Sequence, residues 1–166
     1  LASGLYTAEL LTPDHDVSGF DCGIPELNAW LVHSALQASV MGTARTFVWH
    51  QDGRVVAYYA LAGHQVVREN VPSKIGRGGP NVIPAVILGK LALDRSLHGQ
   101  GLGADLLVDA LERVLAAVKI VAARVLVVDA IDDNAANFYE KFGFLRTGAG
   151  SRRLLRKISD IARDFE

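Results

Sequence analysis

Apolar residues along the chain fall into short runs and helical stripes that alternate with polar, glycine-rich links. Tyr6–Leu11 reads as a short strand, and Thr12–Gly23 as a turn-rich acidic connection. From Pro25 onward, Leu27, Trp30, Leu31 and Ala35 recur at helical spacing through about Met41. Pro25 suits a first helical position, where no amide hydrogen is needed. Ala44–His50 and Val55–Ala62 flank Asp52-Gly53, a dipeptide that accepts the positive φ of a tight hairpin. Arg68–Pro84 holds three prolines and three glycines and is expected to be a loop. The long apolar run Ala85–Leu93 predicts a strand buried on both faces. Over Gly103–Ile120, Leu106, Leu107, Ala110, Leu111, Val114 and Leu115 form one helical stripe. Val125–Ala130 predicts another buried strand. Asn134–Phe142 predicts a short helix that Gly143 would cap. Phe144–Leu145 and Leu154–Ile158 can close a final hairpin.

The resulting order is β, α, β-β-β, α, β, α, β-β. Early strands are joined by hairpins and later ones by helical crossovers. This predicts an α/β (α+β mixed) fold with a central, mixed, twisted sheet of six to seven strands flanked by about four helices. The chain has 166 residues, half of them apolar, which fits a single domain over residues 1–166.

A net charge of −1 excludes a uniformly basic nucleic-acid binder but not a local patch. The charge is uneven. The first forty residues hold Glu9, Asp14, Asp16, Asp21 and Glu26 and no Lys or Arg. Residues 141–157 hold Lys141, Arg146, Arg152, Arg153, Arg156 and Lys157 and no acid. That basic end is available to a polyanion, although a solvated face is the commoner meaning of such a run. Cys22 is the only cysteine, so no internal disulfide forms, and nothing near it supplies a base for nucleophilic chemistry. No run reaches the roughly 18 apolar residues of a membrane helix, and no signal peptide is expected. A cytoplasmic location follows as the expectation.

The candidate chemistry centres on His98-Gly99-Gln100-Gly101-Leu102-Gly103-Ala104, between an apolar strand and a helix. Glycines permit positive φ and close backbone approach. Successive N–H groups and the helix dipole then make a phosphate or pyrophosphate cradle. Gly99-x-Gly101-x-x-Ala104 formally fits a dinucleotide fingerprint. Against that, Asp94–Leu97 separate it from its strand, it falls after mid-chain, and no second nucleotide-binding half follows. The competing pattern, (Arg/Gln)-x-x-Gly-x-(Gly/Ala), binds the pyrophosphate of coenzyme A and is met by His98-x-x-Gly101-x-Gly103, with His at its first position.

Further along stands Asn134-Ala-Ala-Asn137-Phe138-Tyr139-Glu-Lys-Phe142-Gly143-Phe144. With the glycine turn, and in this order, the chain resembles the GNAT acyltransferases over most of its length. Phe20-Asp-Cys-Gly23, Leu27-Asn-Ala-Trp30-Leu31, Gly42-Thr-Ala-Arg45-Thr-Phe-Val48, Tyr58-Tyr-Ala-Leu61 and Leu88-Gly-Lys-Leu-Ala-Leu-Asp94 are similar to the GNAT toxins of bacterial toxin–antitoxin pairs, of the TacT and AtaT type. The resemblance implies an acetyl-CoA-dependent N-acetyltransferase acting on the α-amino group of aminoacyl-tRNA, glycyl-tRNA favoured, which blocks translation. It also implies a ribbon-helix-helix antitoxin as partner, a homodimer, contact with DNA only through the antitoxin, and no membrane partner.

Within that resemblance Tyr139 takes the part of general acid. A phenol stays protonated at neutral pH and can protonate the departing thiolate. The plain alternative is a core aromatic between Phe138 and Phe142. The cofactor-binding set is Leu91, Ala92 and Leu93 through backbone groups, the turn His98, Gly99, Gln100, Gly101, Leu102, Gly103 and Ala104, and Asn134, Asn137 and Phe138. Asn134 could equally be only a helix N-cap. An aminoacyl ester's amine is less basic than lysine's, so a dedicated base is not required; His64, His98, Asp94 and Asp129 are weak candidates. The cations available to tRNA phosphates are Arg45, Lys74, Arg77, Lys90, Arg95, Arg152 and Arg153. Each is about as apt to be a solvated charge, Arg45 could be a structural pair, and Trp30 and Trp49 are expected in the core. No metal site is expected. Two other readings stay open: a GNAT enzyme for a small-molecule or protein amine, and a non-catalytic CoA-binding or DNA-regulatory module.

Overall fold

A computed structural model describes residues 6–166. The strands are β1 (Glu9–Leu10), β2 (Arg45–Gln51), β3 (Arg54–Val67), β4 (Val82–Leu93), β5 (Val125–Asp129), β6 (Leu145–Arg146) and β7 (Arg153–Lys157). The helices are α1 (Pro25–His33), α2 (Ala35–Met41), α3 (Ser73–Gly76), α4 (Leu102–Ala117), α5 (Asp133–Lys141) and α6 (Ile158–Asp164). The sheet is seven-stranded, in the order β1-β2-β3-β4-β5-β7-β6. β4 and β5 pair in parallel, from Ala85↔Val125 to Leu88↔Val128, and β4 runs on to Leu93. β1–β2, β2–β3, β5–β7 and β6–β7 are antiparallel. The mixed sheet is the predicted one.

Chain contacts define two compact units. One runs through Ala62 and resumes over Gly89–Arg113; the other comprises Gly63–Leu88 and Val114–Glu166. The first is built on Leu11, Phe20, Leu27, Leu31, Ala35, Val48, Val55, Tyr58 and Ala92. Leu27 and Leu31 face inward from one side of α1, each burial being worth about 2 kcal/mol. The second is built on Val66, Ile75, Ile83, Ala85, Val125, Val127 and Leu155.

Several boundaries differ from the sequence reading. The helix expected over Pro25–Met41 is broken at Ser34, whose φ of −124° leaves helical space. No Gly or Pro announces the break. The loop expected over Arg68–Pro84 contains a 3-10 turn at Arg68–Asn70, α3, and the start of β4. β3 continues five residues past Ala62. Over Ala85–Leu93, the run expected to be buried on both faces, Ala85, Leu88 and Ala92 are buried and the other residues half-buried; exposure begins only in the added residues Val82 and Pro84. α6, unforeseen, begins at Ile158, where a closing strand was expected. With α3 and the split at Ser34 it raises the helix count above about four.

Candidate active site

β4 delivers the chain into a 3-10 turn, Arg95–Leu97, that Asp94 organises. Asp94 Oδ2 accepts from Ser96 N–H (3.1 Å) and Ser96 Oγ (2.7 Å), and Oδ1 accepts from the Asp21 amide (3.0 Å). Asp94 is 7% exposed. Burial pushes its carboxyl up, but the hydrogen bonds from Asp21 and Ser96 outweigh it and leave the group below the usual Asp range. Asp94 is therefore a capping carboxylate that ties the turn to Asp21.

The turn then passes through Gly99 and Gly101, both at φ +76°. That conformation is costly for residues with a Cβ. No protein atom lies within 4 Å of where a Cβ would stand on either glycine. Glycine is needed here for backbone conformation, and the space beside it is free for a ligand. α4 starts at once, at Leu102, and its sixteen residues give a full dipole with free amides at the first turn. These features fit the pyrophosphate of acetyl-CoA, held by backbone groups of Gly99–Ala104. His98 turns back onto its own strand, Nε2 donating to Leu93 O at 2.7 Å, and Gln100 Nε2 donates to Ser96 O at 3.3 Å. The first motif position thus braces the turn against the end of β4. Leu91 and Leu93 are half-buried and Ala92 is buried in the core of its unit.

Tyr139 lies on α5, in the other unit. α5 is capped by Asp132, whose carboxylate accepts from Ala135 N–H at 2.8 Å. Asn134 is exposed and is not the cap. Gly143 ends the element at φ +87°, with the Arg156 guanidinium packed 3.0 Å from where its Cβ would be. Tyr139 is 6% exposed, edge-on to Phe138 and Phe144. Its hydroxyl makes no hydrogen bond among the described residues. Among the described residues, Thr46 Oγ1 and His64 Nε2 are sealed from water without a partner. Burial pushes the Tyr139 pKa well above that of a free phenol, so the hydroxyl stays a proton carrier at neutral pH. Phe138 is half-buried against Phe142, and Asn137 Oδ1 accepts from Arg146.

The cations expected to face phosphates are mostly engaged. Arg153 forms a bidentate pair with Asp129, both contacts 2.8 Å, and Arg152 pairs with Asp133 at 3.3 Å. Arg95 pairs with Asp21 at 3.4 Å. The Lys90 ammonium sits 5.3 Å from the ring centre of Trp30, which stacks on Tyr58. Arg45 is exposed rather than a buried pair, and donates to Ser39 O (2.6 Å) at the end of α2. Lys74 and Arg77 are exposed and make no ion pair among the described residues. Trp49 is in the core, at 1% exposure. Cys22 is buried and its thiol is pushed up by burial, the opposite of a nucleophile's environment.

Glu9, His15 and His50 cluster with ligand-capable atoms within 4.8 Å of one another. Both Nε2 atoms meet Glu9 Oε1, at 2.8 and 3.0 Å. Both Nδ1 atoms accept backbone amides, from Thr12 and Gly53. A neutral imidazole bound to metal through Nε2 carries its proton on Nδ1, where these amides already point. The arrangement is a hydrogen-bonded clasp on β1.

Residues 42–146 match the family model of the acetyltransferase (GNAT) domain. The chain is 38% identical over 142 residues to a tRNA-acetylating toxin of Mycobacterium tuberculosis, covering 86% of each. It aligns with AtaT complexed with acetyl-methionyl-tRNAfMet at a TM-score of 0.87 and 32% identity, over 97% of this chain and 99% of that one. It also aligns with a tyrosine-to-phenylalanine mutant of AtaT bound to acetyl-CoA and the C-terminus of the antitoxin AtaR. There the TM-score is 0.83 at 32% identity, over 96% and 97% of the two chains.

Proposed function

The chain belongs to the GNAT acetyltransferase family, and we propose that it moves the acetyl group of acetyl-CoA to the α-amino group of aminoacyl-tRNA, as the toxin of a toxin–antitoxin pair. The acetyl-CoA half of this reading is carried by the left-handed Gly99/Gly101 turn, open beside both glycines and running straight into α4. The tRNA half is carried by likeness to a tRNA-acetylating toxin across 86% of both chains.

In this mechanism backbone groups of Gly99–Ala104 hold the pyrophosphate and those of Leu91–Leu93 align the pantetheine arm, while Asn134, Asn137 and Phe138 are the α5 residues assigned to the cofactor. The free amine attacks the thioester carbonyl; the N–C bond forms and the C–S bond breaks. Tyr139 gives its proton to the departing thiolate and is reprotonated, through water, by the proton the amine sheds. The amine of an aminoacyl ester is weakly basic, so its neutral form is plentiful without a dedicated base. None of the four candidate bases is free for the task on its present contacts. Asp94 caps a turn, Asp129 binds Arg153, His98 binds Leu93 O, and His64 Nε2 is sealed from water.

The preferred substrate in this reading is glycyl-tRNA. AtaT is seen with acetyl-methionyl-tRNAfMet, so the amino acid is the first variable to sort. A ribbon-helix-helix antitoxin is the expected partner, with DNA reached only through it, and the active form is a homodimer of single-domain chains. No helix among the described residues is long and apolar enough to cross a membrane.

The test is incubation with labelled acetyl-CoA and total charged bacterial tRNA, beside Tyr139→Phe. Label entering aminoacyl-tRNA with the wild type and not the variant supports the reading. Acetyl-CoA binding without label in tRNA moves the substrate to a small-molecule or protein amine.

A further inference from the structure

The acid-free segment 141–157 looks like the polyanion-binding end of the chain, but the fold neutralises most of it. Arg146 pairs with Glu140, Arg152 with Asp133, Arg153 with Asp129 and Arg156 with Asp164, at 3.2, 3.3, 2.8 and 2.7 Å. Other cations in the same unit make no ion pair among the described residues. Lys119, Arg124 and Lys157 line a cavity of about 610 Å³ that no acid lines. Arg68 and Arg77 line a second cavity of about 710 Å³, with Glu69 as the one acid among its lining residues. Arg124 joins the two. Its Nε lies 3.2 Å from where a Cβ on Gly79 would stand, and Gly79 O accepts from Arg68 Nη1 at 2.8 Å. The backbone fixes Arg124 in place: its N–H donates to Pro84 O and its carbonyl accepts from Ile158 N–H.

We propose that Lys119, Arg124, Lys157, Arg68 and Arg77 form the phosphate-backbone track of this protein, in place of Arg152 and Arg153. The proposal rests on the aminoacyl-tRNA reading and says where that RNA is gripped. An exposed cation already paired to a carboxylate must break that pair to take a phosphate, whereas a free one only exchanges water and counterions. A row of free cations across two adjoining concavities suits a repeating anion better than a single carboxylate. Lys157 lies at the far end of β7 from Arg152, which pairs with Asp133 on α5. β7 runs from Arg153, beside Asp129, to Lys157, opposite Val125. Four residues of strand span about 13 Å, so an RNA stem can lie along the row while its end reaches α5. Exposed Ile120 and Val121, next to Lys119, make an acidic protein segment the rival occupant.

The experiment measures binding of uncharged bacterial tRNA, without acetyl-CoA, by fluorescence anisotropy over a salt series. Variants are Lys119→Glu, Arg124→Glu, Lys157→Glu, their triple combination, and Arg152→Gln as the control. Each single charge reversal is expected to weaken binding several-fold and to flatten the slope of log K against log salt by about 0.7–0.9 per contact. The triple variant should lose at least 100-fold, and Arg152→Gln less than twofold. Arg124 packs on Gly79, so the Lys119→Glu/Lys157→Glu pair carries the test where the Arg124 variant fails to fold. Wild-type affinity in that pair, with aminoacyl-tRNA still acetylated, overturns the track and leaves the reaction standing. Absence of tRNA binding by the wild type overturns both. Poly-glutamate binding more tightly than tRNA, and lost in the same variants, assigns the row to an acidic protein segment and overturns the RNA assignment.

Discussion

Tyr59 donates its hydroxyl proton to Asp109 Oδ1 across 2.5 Å, while Arg113 Nε donates to the same hydroxyl oxygen at 2.9 Å. Asp109 Oδ2 also accepts from Trp49 Nε1 (3.2 Å) and Ala8 N–H (3.1 Å), and Arg113 reaches Ala8 O (2.9 Å). The Arg113 guanidinium lies 4.1 Å from the centre of the Phe47 ring. One carboxylate and one guanidinium thus fasten α4 to β2, β3 and the chain before β1. The helix that follows the Gly99/Gly101 turn is anchored from its middle.

Asp109→Ala leaves the Tyr59 hydroxyl and Trp49 N–H buried without an acceptor. It should cost about 3 kcal/mol, against about 1 kcal/mol for Tyr59→Phe, which leaves Asp109 two donors. Urea unfolding should show a lower midpoint at unchanged m for both variants. Equal costs for the two would mean the carboxylate is not the hub.

Gly101→Ala adds a methyl that touches no protein atom but must adopt φ +76° beside the ligand space. The expected result is a stability loss of about 1 kcal/mol and at least a tenfold loss of acetyl-CoA affinity by calorimetry. Gly148→Ala, at a site equally open but without positive φ, should change neither. Unchanged acetyl-CoA affinity in the Gly101 variant would remove the turn from the cofactor site.

Tyr139→Phe should fold normally, because the hydroxyl holds no protein partner, and should lower kcat by about 10²–10⁴ with little change in KM. Burial holds the Tyr139 pKa above that of a free phenol. The rate should therefore rise with pH as the amine loses its proton and show no falling limb from Tyr139 up to about pH 10. A falling limb near pH 9 that vanishes in the variant would contradict this placement of the proton.

Asp94 titrates below the usual Asp range because hydrogen bonds from Asp21 and Ser96 outweigh its burial. A depressed folded-state pKa means the stabilisation is complete above the unfolded value, near 3.9, and fades as pH falls through the folded value. Asp94→Asn should cost most at neutral pH, and its gap to the wild type should narrow below about pH 4. Chemical denaturation at several pH values reads this directly; a gap that is constant with pH would assign the effect to packing alone.

Much of the architecture was legible in one dimension because it follows from local rules. Asp52 and Gly53 adopt φ +50° and +88° as the hairpin dipeptide implies. Gly99, Gly101 and Gly143 are left-handed where a cradle and a cap call for it. Alternation and helical spacing placed the main strands, α4 and α5, and the residue order carried the family likeness. The break at Ser34 and the start of α6 at Ile158 were hidden, since apolar residues continue across both and no Gly or Pro marks either.

Charge was the property the sequence could not allocate. Residues 141–157 contain no acid, so the segment reads as free positive surface. Its partners come from elsewhere: the β5–β7 register sets Asp129 opposite Arg153, and α5 and α6 bring Glu140, Asp133 and Asp164 to Arg146, Arg152 and Arg156. Local backbone conformation is decided by residues within a few positions of one another, so the left-handed Gly99/Gly101 turn was determined by the sequence. Ion pairing depends on which strands and helices become neighbours, so only the tertiary structure decided which cations stay free for phosphate.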